Sequence, residues 1–283
     1  MLGLYGTACS SDGGNGNTAP TFEAGPGDED GAVVEPPEGG GSDAPDTSVK
    51  PSLVNVSNRN IDVAGQPRFY VLSVPRTYDA SRSYPLIVAL HGDGQNADGF
   101  RQFLDLDALS GNDAITAYPD QVVDLDKPFE QNGDQQLVAA VIAEVKSQFN
   151  INAGKVWGFG YSKGGFMLNQ LSCRKPGTFT AFAAHAAGAP SVTADQCAGI
   201  VGLPVLMSEG DRDLGIGATF AAQYWAGVSG CTTNRSASTP AECQTYDGCP
   251  AGKQVVYCLA PGVSHYPIWN QATKVTWAFF TSL

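Results

Sequence analysis

Basic residues are scarce in this chain. Sixteen Lys and Arg stand against 28 Asp and Glu, a net charge of −12, and nowhere do they gather into the patch that nucleic acid requires. Long apolar runs are also missing, so no stretch is suited to span a bilayer. Histidine is limited to His91, His185 and His265, and no Cys-x-x-Cys spacing occurs; both argue against a zinc site. No internal repeat is visible. The first fifty residues lack aliphatic periodicity. They hold eleven Gly, five Pro and nine acidic residues against one basic residue, Lys50. Such a composition cannot bury enough apolar surface to offset the entropy of ordering it. Residues 1–50 are therefore expected to be a signal remnant and a disordered acidic linker, and residues 51–283 one folded domain. The folded part carries 19 acidic and 15 basic groups, a net of −4, which is only mildly acidic.

Cysteine is present in numbers that matter. Cys9 precedes the linker, and the other six fall between Cys173 and Cys258. Six cysteines in the folded part predict three disulfides and an oxidising compartment, against the alternative of free buried thiols in a cytosolic protein. The run ECQTYDGCPAGKQVVYC reads as two strands around a turn centred on Pro250 and Ala251, which places Cys243 opposite Cys258. Cys231 would then pair with Cys249 and Cys173 with Cys197, one of fifteen arrangements open to six cysteines. The start, LGLYGTACSSDGGNG, resembles the end of a bacterial lipoprotein signal, with small residues before a cysteine and a polar tether after it. Only eight residues precede Cys9, none is basic, and Gly6 stands where such signals prefer Leu. Two readings stay open: a lipid anchor at Cys9 of a surface lipoprotein, or an accidental likeness in a secreted, unanchored protein.

From Arg68 onwards strand and helix signals alternate. RFYVLSVP, SYPLIVALHG, AITAYPD, KVWGFGYS, FTAFAAHAAGA, LPVLMSEG and VVYCLAPG read as strands. DQQLVAAVIAEVKSQF, GGFMLNQLSC, ATFAAQYWAGVSG and QATKVTWAFFTSL read as helices. That alternation predicts an α/β fold with a mostly parallel central sheet flanked by helices.

Gly160-Tyr161-Ser162-Lys163-Gly164 fits G-x-S-x-G between a predicted strand and a predicted helix, the context a nucleophile elbow requires. A tight turn there lifts the serine oxygen above the sheet, and the flanking positions tolerate little beyond hydrogen. The pentapeptide arises by chance in a chain with 34 glycines, so partners decide. In the order Ser, acid, His, the base must follow Ser162. His185 sits in an alanine-rich strand and is expected to be buried and structural, whereas His265, in the loop PGVSHYPIW, is placed to act as base. After LPVLMSEG, Asp211 and Asp213 both qualify as the orienting acid, and Asp213 is the better placed. The turn LHGDGQNA supplies an oxyanion donor in the Asp93 amide, with the Lys163 amide at the helix start as the second; His91 is expected to hold that turn.

HGDGQNA, AYPD, KVWGFGYSKGG, EGDRD and the terminal SH together resemble the extracellular esterase family that includes polyhydroxybutyrate depolymerases and feruloyl and acetylxylan esterases, over about residues 66–283. The resemblance implies an α/β-hydrolase fold and hydrolysis of polymer-linked esters without a cofactor. It implies Ser162 as nucleophile, Asp213 as acid, His265 as base, and the Asp93 and Lys163 amides as oxyanion donors. The expected partner is an ester substrate, a xylan ester or an aliphatic polyester, and the expected state is a monomer. The family often has an uncharged residue where Asp93 stands, a His-Gly pair where Glu209-Gly210 stands, and a Trp near Tyr266-Pro267; these departures bear on substrate choice. Tyr161, Tyr224, Trp225, Tyr266 and Trp269 are candidates to line an aromatic-accepting cleft, some of them going to the core instead. A reading of another class is a surface binding protein that keeps the scaffold without catalysis.

Overall fold

The structure is a computed structural model, which describes residues 52–121, 133–190, 197 and 199–283, with only the backbone of Leu214. The expected linker and Cys9 lie outside the described residues.

Ten strands form one sheet. In chain order they are β1 (Val54–Val63), β2 (Gln66–Pro75), β3 (Tyr84–Leu90), β4 (Ile115–Pro119), β5 (Ile151–Tyr161), β6 (Ala181–His185), β7 (Val205–Gly210), β8 (Arg235–Ala237), β9 (Cys243–Tyr246) and β10 (Val255–Ala260). Their spatial order is β1-β2-β4-β3-β5-β6-β7-β10-β9-β8. The six central strands from β4 to β10 pair in parallel, and antiparallel strands extend both edges. Parallel strands covered on both faces read as unbroken apolar runs, and β3 and β4 are such runs, almost wholly buried.

The helices α3 (Gly133–Gln148), α4 (Lys163–Arg174) and α5 (Ala218–Ser229) cover one face. Leu137, Val141, Leu168 and Trp225 pack there on Leu86, Val88 and Phe182. The helices α1 (Ala97–Leu104), α2 (Leu106–Ser110) and α6 (Ala272–Thr281) cover the other, where Phe100, Leu106, Val275 and Phe280 meet Ile87, Phe159 and Ala183. Two apolar layers on one sheet make the three-layer sandwich the alternation predicts.

The sequence reading misses β1, α1, α2 and β8. Between its buried ends, Val54 and Val63, β1 holds only exposed and half-exposed residues, and an edge strand without a continuous buried face has no apolar signature. The strand expected across FTAFAAHAAGA stops at His185, because Ala186 turns into the left-handed region with φ +51°.

Three disulfides join Cys173 to Cys197, Cys231 to Cys249 and Cys243 to Cys258, the pairing read from the spacing. Cys243 and Cys258 are register partners on the antiparallel pair β9–β10, so the alternation in that run was enough to align them.

Candidate active site

The candidate residues meet beyond the carboxyl ends of β3, β5, β7 and β10. Parallel α/β sheets place ligands there, because loops from neighbouring strands converge at that rim.

Ser162 sits between β5 and α4 with φ +51° and ψ −123°, a strained conformation for a residue with a side chain. Packing holds the strain in place. A methyl group on Gly160 would lie 2.7 Å from the Gly164 carbonyl oxygen and 2.8 Å from the Gly165 Cα, and one on Gly164 would overlap the carbonyls of Leu90 and His91. The Ser162 N–H donates to the His185 carbonyl at 2.9 Å, and its carbonyl accepts from the Phe166 N–H at 2.9 Å. The hydroxyl is thereby aimed out of the sheet at the start of a helix.

His265 arrives on the loop after β10. Its Nε2 lies 2.8 Å from the Ser162 Oγ and its Nδ1 lies 2.8 Å from the Asp213 Oδ2. Asp211 and Asp213 divide the work that the sequence left between them. The Asp211 carboxylate accepts the Gly262 N–H at 2.8 Å, while Asp213 faces the imidazole. Backbone bonds from Asp211 N–H to the Ala260 carbonyl and from Arg212 N–H to the Val263 carbonyl, both 3.0 Å, lace the two loops together.

The turn after β3 is fixed from within. The Gly92 N–H donates to the Gln95 side chain at 2.9 Å, Gln121 donates to the His91 carbonyl at 2.6 Å, and the buried His91 ring bonds through Nδ1 to the Gly92 carbonyl at 2.8 Å. Asp93 is exposed, and its carboxylate lies 3.1 Å from the Lys163 ammonium. The acid is thus turned towards a cation.

His185 is buried and structural. Its ring bonds to the Ser208 hydroxyl at 2.6 Å and the Thr276 hydroxyl at 2.8 Å, and burial lowers its pKa to about 3. The neutral imidazole ties β6 to β7 and α6.

The five aromatic candidates divide between core and surface. Trp225 is fully buried and donates to Asn169 at 2.7 Å, and Trp269 is 6 % exposed in the layer between sheet and α6. Tyr161 is also enclosed: its ring stacks on His265 with centroids 5.8 Å apart, and its hydroxyl donates to the His265 carbonyl. Burial, the nearby Asp213 charge and Tyr266 raise its pKa to about 12, so it stays a neutral donor. Of the five candidates, Tyr266 is exposed, at 65 %, and Tyr224 is half-buried with its hydroxyl 3.5 Å from the Cys197 Sγ. Large rings bury so much area that the core claims them first.

Glu209 was read as a position of substrate choice, and the structure gives it another task. Its carboxylate is buried, accepts the Ala218 and Thr219 N–H groups at 3.1 Å each at the start of α5, and accepts the Tyr257 hydroxyl at 2.8 Å. An acid at a helix N-terminus satisfies amides that have no intrahelical partner. Nine residues separate it from Ala218, beyond the spacing of a local capping motif, so no sequence signal marks this role.

No family model matches the chain. Among characterised relatives, feruloyl esterase C of Emericella nidulans is 27 % identical over 154 residues, 52 % of this chain and 55 % of the relative. Feruloyl esterase B of Piromyces equi is 23 % identical over 227 residues, 70 % of this chain and 42 % of the relative. The chain spans about half the length of the curated relatives it matches. Among solved structures, an acetyl xylan esterase from Aspergillus awamori superposes with a TM-score of 0.61 at 18 % identity, covering 79 % of this chain and 99 % of that one. By fold the chain is an α/β-hydrolase, and in sequence it is similar to feruloyl esterases.

Proposed function

We propose that residues 51–283 form a serine carboxylic-ester hydrolase acting on plant cell-wall esters, with feruloyl or acetyl groups on xylan as the substrate class. The observation that carries the reading is the chain of two 2.8 Å contacts from Ser162 through His265 to Asp213. His265 Nε2 takes the proton from the Ser162 hydroxyl as Oγ attacks the ester carbonyl. Asp213 accepts the Nδ1–H and stabilises the imidazolium that forms. The Asp93 and Lys163 amides receive the oxyanion. The C–O bond to the alcohol breaks, the alcohol leaves with the proton from Nε2, and water repeats the sequence on the acyl-enzyme.

The strained elbow supports this reading, because backbone strain at a serine that faces an imidazole is held where chemistry needs it. The similarity to feruloyl esterases supports the substrate class. Three disulfides support export to an oxidising compartment.

Labelling with a serine-reactive phosphonate, followed by assays on methyl ferulate, acetylated xylan and a polyhydroxybutyrate film, tests it. The native protein is expected to label and to turn over one of the first two, and Ser162→Ala to lose about three or more orders of magnitude in rate. Turnover of the film alone would move the substrate to aliphatic polyesters. A native protein that neither labels nor turns over any ester would leave a binding protein on a hydrolase scaffold.

A further inference from the structure

A groove of about 430 Å3 runs beside the base loop, between the α1–α2 corner and the segment from Pro267 into α6. This volume falls in the range of ligand sites, roughly 300–1,000 Å3. Both walls originate at the candidate site. α1 begins four residues after Asp93, and the opposite wall follows directly from His265. Phe103 on α1 and Tyr266 are 41 % and 65 % exposed, and their rings are nearly parallel, 18° between planes with centroids 6.5 Å apart. The buried Trp269 forms part of the lining, and Asp105, Asn270 and Lys274 supply polar groups around it. Asp105 holds a left-handed conformation, φ +48° and ψ +29°, at the junction of α1 and α2, a strained backbone of the kind that collects at ligand sites.

The position of the groove says which part of an ester it meets. In the mechanism above, His265 returns its proton to the alcohol oxygen, so the alcohol portion lies on the imidazole side and the acyl portion on the other. A groove whose wall starts at Pro267, two residues past the base, therefore faces the alcohol. Its chemistry is mixed: Phe103 lines it and the exposed Tyr266 ring stacks on Phe103 beside it, with a carboxylate, an amide and an ammonium in the walls. Sugar rings present apolar C–H faces that rest on aromatic rings and hydroxyls that bond to surrounding polar groups. We propose that Phe103 and Tyr266 form a carbohydrate platform, which binds the sugar chain carrying the ester while Asp105, Asn270 and Lys274 bond to its hydroxyls. This inference rests on the esterase reading for its orientation, but binding can be measured without turnover.

The test titrates the Ser162→Ala protein with xylohexaose, an unesterified xylan fragment, by calorimetry. Phe103→Ala and Tyr266→Ala, added singly to that background, are each expected to raise Kd about tenfold. Both side chains are exposed, so the fold tolerates their loss, and thermal melting verifies it. Phe220→Ala serves as control, because Phe220 is 67 % exposed on α5 outside the groove, and it is expected to leave Kd unchanged. Absence of xylohexaose binding, or a Kd indifferent to both substitutions, would overturn the platform. So would a loss confined to binding of free ferulate, which would make the groove an acyl site. A protein that binds xylohexaose through these rings but hydrolyses no ester would keep the platform and sink the esterase reading.

Discussion

The two halves of the candidate site are built by opposite means. The Ser162 side is a backbone device: glycines let β5, α4 and the end of β3 approach until nothing larger than hydrogen fits at 160 and 164. The His265 side is a tethered loop, partly exposed, joined to its neighbours by the Asp211–Gly262 bond, the Tyr161 hydroxyl and the Cys243–Cys258 bridge at the base of β10. One half depends on what is absent from its side chains and the other on what its side chains reach. A packed elbow tolerates no added atom, whereas a tethered loop weakens gradually as its ties are removed.

Substitutions on each side can break or sharpen that contrast. Gly164→Ala has the largest expected effect, because the new methyl meets two backbone carbonyls that cannot rotate away. A loss of about 4 kcal/mol or more is expected, read as a collapse of the urea midpoint together with activity. A near-normal midpoint would show that the elbow yields and is not the rigid half. On the tethered side, replacing Cys243 and Cys258 together by Ser opens a loop with a sequence separation of 15, with an expected loss of about 3 kcal/mol. Here the folded enzyme should persist at low temperature with a lower Tm, and loss of all folded protein would erase the contrast.

The smallest effect is a pH dependence on the buried side. His185 is a base whose folded pKa, about 3, lies below its ordinary 6.5, so between these values the unfolded chain binds the extra proton. Stability contributed by its neutral form is whole above about pH 6.5 and declines as pH falls towards 3, by at most about 1.4 kcal/mol per pH unit. Urea midpoints at pH 6.5 and 5 should show this slope in the native protein, and His185→Gln should flatten it. An equally steep slope in the variant would assign the acid sensitivity to other groups.

The same contrast explains what the sequence could reveal. The elbow is contiguous, so Gly160, Ser162 and Gly164 announce it within five residues, and the buried parallel strands around it appear as apolar runs. The pairing of Cys243 with Cys258 was legible for a similar reason, since both lie on one hairpin. The tethered half is assembled from residues far apart. Asp211 and Asp213 differ by two positions, and although position favours Asp213 for the imidazole, the fold is what shows Asp211 holding a loop amide. Glu209 lies under a helix that starts nine residues later, and the division of the aromatic residues between core and surface depends on packing that no local pattern carries. β1, buried only at its ends, was invisible for the complementary reason.

Tyr161 adjoins Ser162 in the chain, yet its hydroxyl holds the carbonyl of His265, 104 residues away. A ruler of one phenol ring thus spans the gap between the segments that carry Ser162 and His265, independent of how much polypeptide lies along the covalent route. Insertions in the stretches between them can lengthen that route without altering the imidazole's address, which leaves the surrounding loops free to diverge while the candidate site keeps its dimensions.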